Sequence, residues 1–221
     1  MGILVSILGK SGSGKSRSMK TLTNMDELMI IRPSRKPISF RNKFQEWNKE
    51  TETGQYFYTN KSEVVCAGLK KFYDKGKRLF VIEDSTFFMT DYFMDTVMES
   101  GWDKYNINSK NYYNIIKAAE NLPDDARIYL VNHVDRSDTG EQQIKTIGKM
   151  LSEKLPIAEL ITIILFASVN DGKHTFQTNK VSGTDICKSP EEMFDDLFIE
   201  NDLQFVDDRI KWYYNVDQDD V

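Results

Sequence analysis

Ile3–Leu8 reads Ile-Leu-Val-Ser-Ile-Leu, a short apolar run weighted to β-branched residues. Such a run predicts a strand buried on both faces. Leu28–Ile31, Leu79–Ile82, Ile128–Val131 and Ile161–Phe166 repeat the pattern. Between them the apolar spacing lengthens to three and four. Lys15–Met25, Ser62–Lys75, Asn111–Asn121, Ile144–Leu155 and Asp202–Tyr214 are predicted as helices on that basis. In the second of these, Val65, Leu69 and Phe72 share a face and Gly76 stands where a C-terminal cap belongs. In the last, Asp202 is placed as N-cap ahead of Leu203, Val206 and Ile210. Phe40–Lys49 is expected to form a short basic helix, and Gln55–Thr59 a short strand. His174–Thr178 and Lys180–Ile186 are expected to form a hairpin through Asn179.

Buried strands alternating with helices predict an α/β fold, a mainly parallel sheet covered on both faces. Residues 1–215 read as one domain and 216–221 as an acidic flexible tail. In such sheets ligands bind beyond the carboxyl ends of the strands. Three unusual polar groups fall there: Gly9–Ser16, Glu83–Asp84 and Asn132–His133.

Gly9-Lys10-Ser11-Gly12-Ser13-Gly14-Lys15-Ser16 matches G-x-x-x-x-G-K-[ST], the phosphate-binding loop. Glycines let successive backbone N–H groups curl inward around phosphates, and the following helix directs its N-terminus at the anion. Lys15 is expected to stand exposed at that helix start and reach the β- and γ-phosphates, with the Ser16 hydroxyl on Mg²⁺. A chance match in a chain this long is on the order of 1%, so the loop is read as a nucleotide site.

A phosphate loop needs a further acid to hold the metal, usually at the end of a neighbouring apolar strand. Glu83 and Asp84 follow Leu79–Ile82 in that way. One carboxylate would hold Mg²⁺ and the other orient the attacking water, in either assignment. Asn132 and His133 end the next strand, either as γ-phosphate sensors or as simple hydrogen-bonded residues. Lys145, Thr146 and Lys149 open the following helical segment, as a solvated face or as a contact to phosphate or nucleic acid. Phe87, Phe88, Tyr92 and Phe93 are assigned to core or interface rather than to base stacking.

The net charge of −5 argues against a protein that coats duplex DNA through its overall field. It is uneven, however: residues 1–80 carry sixteen Lys and Arg against seven Asp and Glu, so a local basic surface remains open there. Cys66 and Cys187 form no CxxC and predict neither a disulfide framework nor, with only His133 and His174, a zinc site. No apolar run reaches the length of a membrane span and no leader pattern opens the chain, so a soluble, cytoplasmic protein is expected.

With these residues assembled, the chain resembles a family of phage-encoded P-loop ATP-binding proteins with a RecA-like core, often described as AAA-type, some of which are single-strand annealing recombinases. The resemblance covers most of the chain. It rests on Gly9–Ser16, Lys36-Pro37-Ile38-Ser39-Phe40-Arg41, the Val81-Ile82-Glu83-Asp84 strand end, Leu122-Pro123-Asp124-Asp125 and Asn132-His133. Lys145-Thr146-Ile147-Gly148-Lys149-Met150-Leu151, Lys188-Ser189-Pro190 with Met193-Phe194, and Asn201-Asp202-Leu203 complete it. The Thr-Ile-Gly-Lys and Lys-Ser-Pro blocks are its more specific parts. The family's second motif carries two aspartates, and Glu83 departs from that pattern.

The resemblance implies a RecA-like three-layer sandwich that binds ATP and Mg²⁺, slow hydrolysis, and work on single-stranded DNA in phage recombination or replication, in the host cytoplasm. A single-strand binding protein and further copies of the chain are candidate partners. With the first strand opening at Ile3, the N-terminal arm that links RecA subunits is not expected. A small-molecule or nucleotide kinase is the alternative, although no arginine-rich lid is visible: after Arg136 the only arginine is Arg209. A nucleotide-gated interaction module with little hydrolysis is a third reading.

Overall fold

The computed structural model describes residues 1–216. Most of the stretch expected to be an acidic tail, 217–221, lies outside the described residues. The fold is α/β, built on a mostly parallel mixed sheet of nine strands. The strands are β1 (Ile3–Gly9), β2 (Leu28–Arg32), β3 (Tyr56–Tyr58), β4 (Leu79–Ile82), β5 (Arg127–Arg136), β6 (Gln142–Ile144), β7 (Ile163–Asn170), β8 (Lys173–Gln177) and β9 (Phe198–Glu200). Their order across the sheet is β3-β2-β4-β5-β1-β7-β8-β9, with β6 paired to β5. β3 through β7 in that order run parallel, and β8, β9 and β6 add antiparallel edges.

Alternation along the strands sorts two cores onto the two faces. Leu4 and Leu8 of β1, with Met29, Ile31, Phe80 and Ile82, pack under α1 (Ser62–Tyr73), α2 (Thr86–Asp95) and α3 (Asp103–Glu120). Ile3, Val5 and Ile7, with Leu28, Ile30 and Val81, pack under α4 (Leu203–Tyr214) and the short 3₁₀ helix Ser16–Thr21. Both faces of β1, β2 and β4 are therefore dry, which is why these strands read as continuous apolar runs.

β1 lies between β5 and β7. The chain leaves β1 toward β2 on one side and returns to β7 on the other. The loop after β1 thus opens at the point where the strand order reverses, the crevice that α/β sheets offer to ligands.

Several segments depart from expectation, each for a local reason. Lys15–Met25 forms only the 3₁₀ helix Ser16–Thr21, because Thr21, Thr23 and Asn24 are weak helix formers and the Thr21 hydroxyl is drawn to α4. Phe40–Lys49 is irregular: Asn42 Oδ1 accepts from Phe44 N–H, and Asn48 Oδ1 from Glu50 and Thr51 N–H, so the asparagines turn the chain instead of letting it coil. Ile144–Leu155 is interrupted at Gly148, whose φ of 79° is left-handed, and only Met150–Lys154 coils, as a π-helix. β5 does not end at Asn132 and His133 but runs on to Arg136 and pairs with β6. The hairpin is formed by β7 and β8 through Asp171-Gly172, both at positive φ, rather than through Asn179. Among the described residues no helix is long and apolar enough to cross a membrane.

Candidate functional site

The loop that leaves β1 is built so that only glycine fits at its turning points. Gly12 (φ 78°) and Gly14 (φ 101°) are in the left-handed region. A Cβ on Gly9 would meet Ser13 Oγ at 2.5 Å and Ala167 O at 2.7 Å, and one on Gly14 would meet His174 Nδ1 at 2.5 Å. Ser13 N–H donates to Lys10 O at 3.2 Å and closes the loop into a tight ring. Lys10, Ser11 and Gly12 are exposed on its rim, while Ser13 is buried.

Lys15 is not exposed, as the sequence suggested, but 5% accessible. Its Nζ donates to Gly9 O and Lys10 O, both at 2.9 Å, so the ammonium folds back over the loop. An ammonium has three N–H donors, which leaves one for an incoming anion. Burial pulls its pKa below the ordinary lysine value; Asp84 opposes that shift and Lys36 adds to it. A cation buried by the loop's own carbonyls is one whose charge a phosphate would meet at low dielectric. Ser16, half-buried, opens the 3₁₀ helix next to it. That helix, six residues long, is too short to supply a strong dipole.

Glu83 and Asp84, adjacent in sequence, are put to different uses. Glu83 is buried, and its Oε2 takes the Arg32 Nε–H at 2.5 Å. Arg32 also donates to Tyr58 OH at 3.0 Å and to Lys36 O at 2.5 Å. Glu83 is therefore the acceptor of a buried ion pair joining the ends of β2 and β4. Asp84 turns the other way, at a left-handed φ of 47° that a β-carbon makes costly by about 1–3 kcal/mol. His133 Nε2 is 3.6 Å from its Oδ1. His133 holds the Asp84 carboxyl below its usual pKa against the effect of burial, with Lys15 and Lys36 helping. Of the two acids, Asp84 is the one whose charge acts on Lys15.

Insertion of β5 between β1 and β4 brings His133 into register with Gly9. Asn132, one residue earlier, is wholly buried and fully used. Its Oδ1 accepts from Ser85 Oγ (2.5 Å) and Tyr112 OH (2.8 Å), and its Nδ2 donates to Ser6 Oγ (3.1 Å) and Leu130 O (3.3 Å). Asn132 ties three elements together and has no free valence for a ligand. His133 is half-exposed and is the member of the pair that faces the site. Lys145 follows it closely, its N–H donating to His133 O at 2.9 Å, whereas Lys149 is exposed and paired with Glu153.

No protein-family model matches the chain, and no curated protein sequence matches it.

The three sequence groups do meet at the carboxyl end of the central strands: the loop, Asp84 and His133. Among the aromatics, Phe88 is core, while Phe87 is exposed beside the His133 ring, centroids 6.5 Å apart. Four residues at the site were not marked in the sequence as belonging to it. Arg32 neutralises Glu83; Lys36 lies on the exposed segment that Arg32 anchors; His174 and Asn201 back the loop from β8 and from the start of α4. Lys36 and Asn201 carried a signal, through the Lys-Pro-Ile-Ser-Phe-Arg stretch and the Asn201-Asp202-Leu203 block.

Proposed function

We propose that the chain is a P-loop nucleotide-binding protein with a RecA-like core, which binds ATP with Mg²⁺ at Gly9–Ser16 and hydrolyses it slowly. The observation that carries this reading is the loop itself. It leaves the strand at the reversal of strand order, turns at two obligatory glycines, and folds a buried lysine over its carbonyls with one N–H to spare. A polyphosphate fits such a ring of amides. Ser16 and Asp84 suit a magnesium ion, both being oxygen donors beside Lys15. Glu83 does not, since Arg32 already neutralises it. Bound Mg²⁺ would neutralise charge on the phosphate oxygens. Lys15 would hold the phosphates, and His133 would hold Asp84 in place and ionised. Asp84 and His133 lie on the β4–β5 side of β1, so the residues that would act on a terminal phosphate stand on that side of the loop.

The two acids are predicted to separate cleanly in titrations of ATP binding with and without Mg²⁺. Asp84→Asn is expected to weaken Mg²⁺-dependent ATP affinity by about 10- to 100-fold and to leave the melting temperature nearly unchanged. Glu83→Gln is expected to spare affinity but to destabilise the chain by about 3–5 kcal/mol, because Arg32 becomes a buried cation without its counter-charge. Equal behaviour of the two variants would remove this assignment.

Single-stranded DNA is the proposed partner, on the strength of the basic segment that Arg32 fastens beside the site. Arg35, Lys36, Arg41 and Lys43 are exposed on it. A chain at −5 attracts a polyanion only through such a local patch, so affinity should fall steeply with salt as counterions are released. Anisotropy of a labelled oligonucleotide is expected to show binding that is stronger with a slowly hydrolysed ATP analogue than with ADP, by about 5- to 150-fold. Identical binding without nucleotide, with ADP and with the analogue would sink the coupling.

The buried Arg32–Glu83 pair favours a second reading, a nucleotide-gated interaction module. With Glu83 engaged, it has no free carboxylate to orient water, and turnover would be very slow. ATP consumption measured with and without single-stranded DNA separates the two, and a panel of nucleoside acceptors tests the kinase alternative.

A further inference from the structure

Behind the phosphate loop, away from the acids, β8 and the start of α4 supply two polar side chains. His174 Nδ1 lies 3.2 Å from Ser13 O. Asn201, between β9 and α4, has its Oδ1 3.2 Å from the point where a Cβ on Gly14 would stand. Its backbone N–H donates to His174 O at 3.3 Å. The residue after it, Asp202, caps α4 by accepting Phe205 N–H at 2.9 Å. The start of α4 is in turn fastened to the segment after the loop: Thr21 Oγ1 accepts from Leu203 and Gln204 N–H, and Gln204 Oε1 accepts from Thr23. Asn201 is thereby held against Gly14 from both sides of the chain.

Yet the Asn201 amide makes no use of that position. It is 5% accessible, and both Oδ1 and Nδ2 are buried without a hydrogen-bond partner. Ser13 Oγ, on the same loop, is also buried and unpartnered. A buried amide left unpaired is costly, and apolar replacement of such a group is neutral or stabilising. An amide retained there is explained if it finds a partner in another state of the loop. Phosphate binding would provide one: an anion that draws the Ser13–Lys15 backbone around itself changes which loop groups face Asn201.

We propose that Asn201 is a positioning residue of the phosphate loop: its amide takes a backbone partner in Ser13–Gly14 when nucleotide is bound and so holds the loop in its anion-binding form. The inference rests on the nucleotide-binding reading of the loop. It makes a prediction of opposite signs. Removing the amide should not harm the nucleotide-free fold, yet should weaken the complex.

The test compares wild type, Asn201→Leu, Asn201→Ala and Lys15→Ala by thermal melting without nucleotide and by titration with ATP–Mg²⁺ and with inorganic tripolyphosphate. Asn201→Leu is expected to melt at or above the wild-type temperature and to bind both ligands about tenfold more weakly, with Asn201→Ala following in affinity. The tripolyphosphate arm shows that the effect is on the phosphate cradle rather than the nucleoside. A lower melting temperature with unchanged affinity in both Asn201 variants would make Asn201 a plain structural residue. Unchanged affinity at unchanged stability would make its amide inert, and either result overturns the proposal. Wild type that binds neither ligand, or Lys15→Ala that binds as wild type does, overturns the nucleotide-binding reading itself.

Discussion

Lys15→Ala is expected to abolish measurable ATP binding while the chain still folds. Two terms set the size of the effect. The variant loses the one ammonium donor left free for phosphate, and it loses the buried positive charge that makes the loop attractive to an anion. Charge-assisted hydrogen bonds of this kind contribute about 1.5–3 kcal/mol each. Loss of that one bond alone lowers affinity by about 10- to 150-fold, and loss of the buried charge adds to it. The fold changes less. Gly9 O and Lys10 O each lose a donor, but a desolvated cation is removed with it, and the two terms oppose one another. Isothermal titration with ATP–Mg²⁺, alongside a melting curve, checks both halves. A folded variant with wild-type affinity would dispose of the phosphate-loop assignment.

The sign of the Lys15 shift adds a dependence on pH. A lysine whose pKa is lowered on folding binds fewer protons in the native than in the unfolded chain between the two values. Its burial therefore costs stability at neutral pH, and that cost fades as pH rises toward the ordinary lysine range. ATP, by supplying negative charge, favours the protonated form, so binding and protonation of Lys15 are linked. ATP affinity is expected to decline as pH climbs through that range.

What could be read from the sequence follows from what carries the signal. β1, β2 and β4 are dry on both faces, so their residues form continuous apolar runs that announce themselves, and the loop announces itself through the spacing of Gly9, Gly14, Lys15 and Ser16. The helices predicted over Phe40–Lys49 and Ile144–Leu155 failed where side chains or glycines compete with the backbone: Asn42, Asn48 and Gly148. The β7–β8 hairpin had a readable signal in Asp171-Gly172. The partition of Glu83 from Asp84 had none. Two adjacent acids look alike until strand order brings Arg32 beside one and His133 beside the other. His174 and Asn201 likewise reach the loop only because β7 pairs with β1 and β8 folds back along β7.

At the other end of the sheet a second buried charge decides whether α4 can hold Asn201 in place. Arg127 opens β5 and is 1% accessible; Asp207 on α4 is wholly buried. Arg127 Nε lies 3.0 Å from Asp207 Oδ1, and its Nη2 lies 3.2 Å from Asp207 Oδ2 and 3.0 Å from Glu27 Oε2. Tyr129 OH donates to the same Asp207 carboxylate at 2.9 Å. Asp207→Ala leaves Arg127 with only the half-exposed Glu27 as counter-charge and takes the acceptor from a buried phenol. The expected loss is about 3–5 kcal/mol, and the melting temperature should fall by roughly 10 °C for a chain of this size. The comparison that proves the cause is the double variant Arg127→Leu with Asp207→Leu. Removing both charges leaves no buried ion uncompensated, since Glu27, which loses Arg127, is half-exposed; the double variant should therefore recover much of the loss. Urea melts of wild type, Arg127→Leu, Asp207→Leu and the double variant measure the coupling directly. If Asp207→Ala costs less than about 1 kcal/mol, the pair is as dispensable as a surface ion pair, and α4 must be held by Leu203, Val206 and Ile210 together with the Thr21 and Gln204 hydrogen bonds at its start.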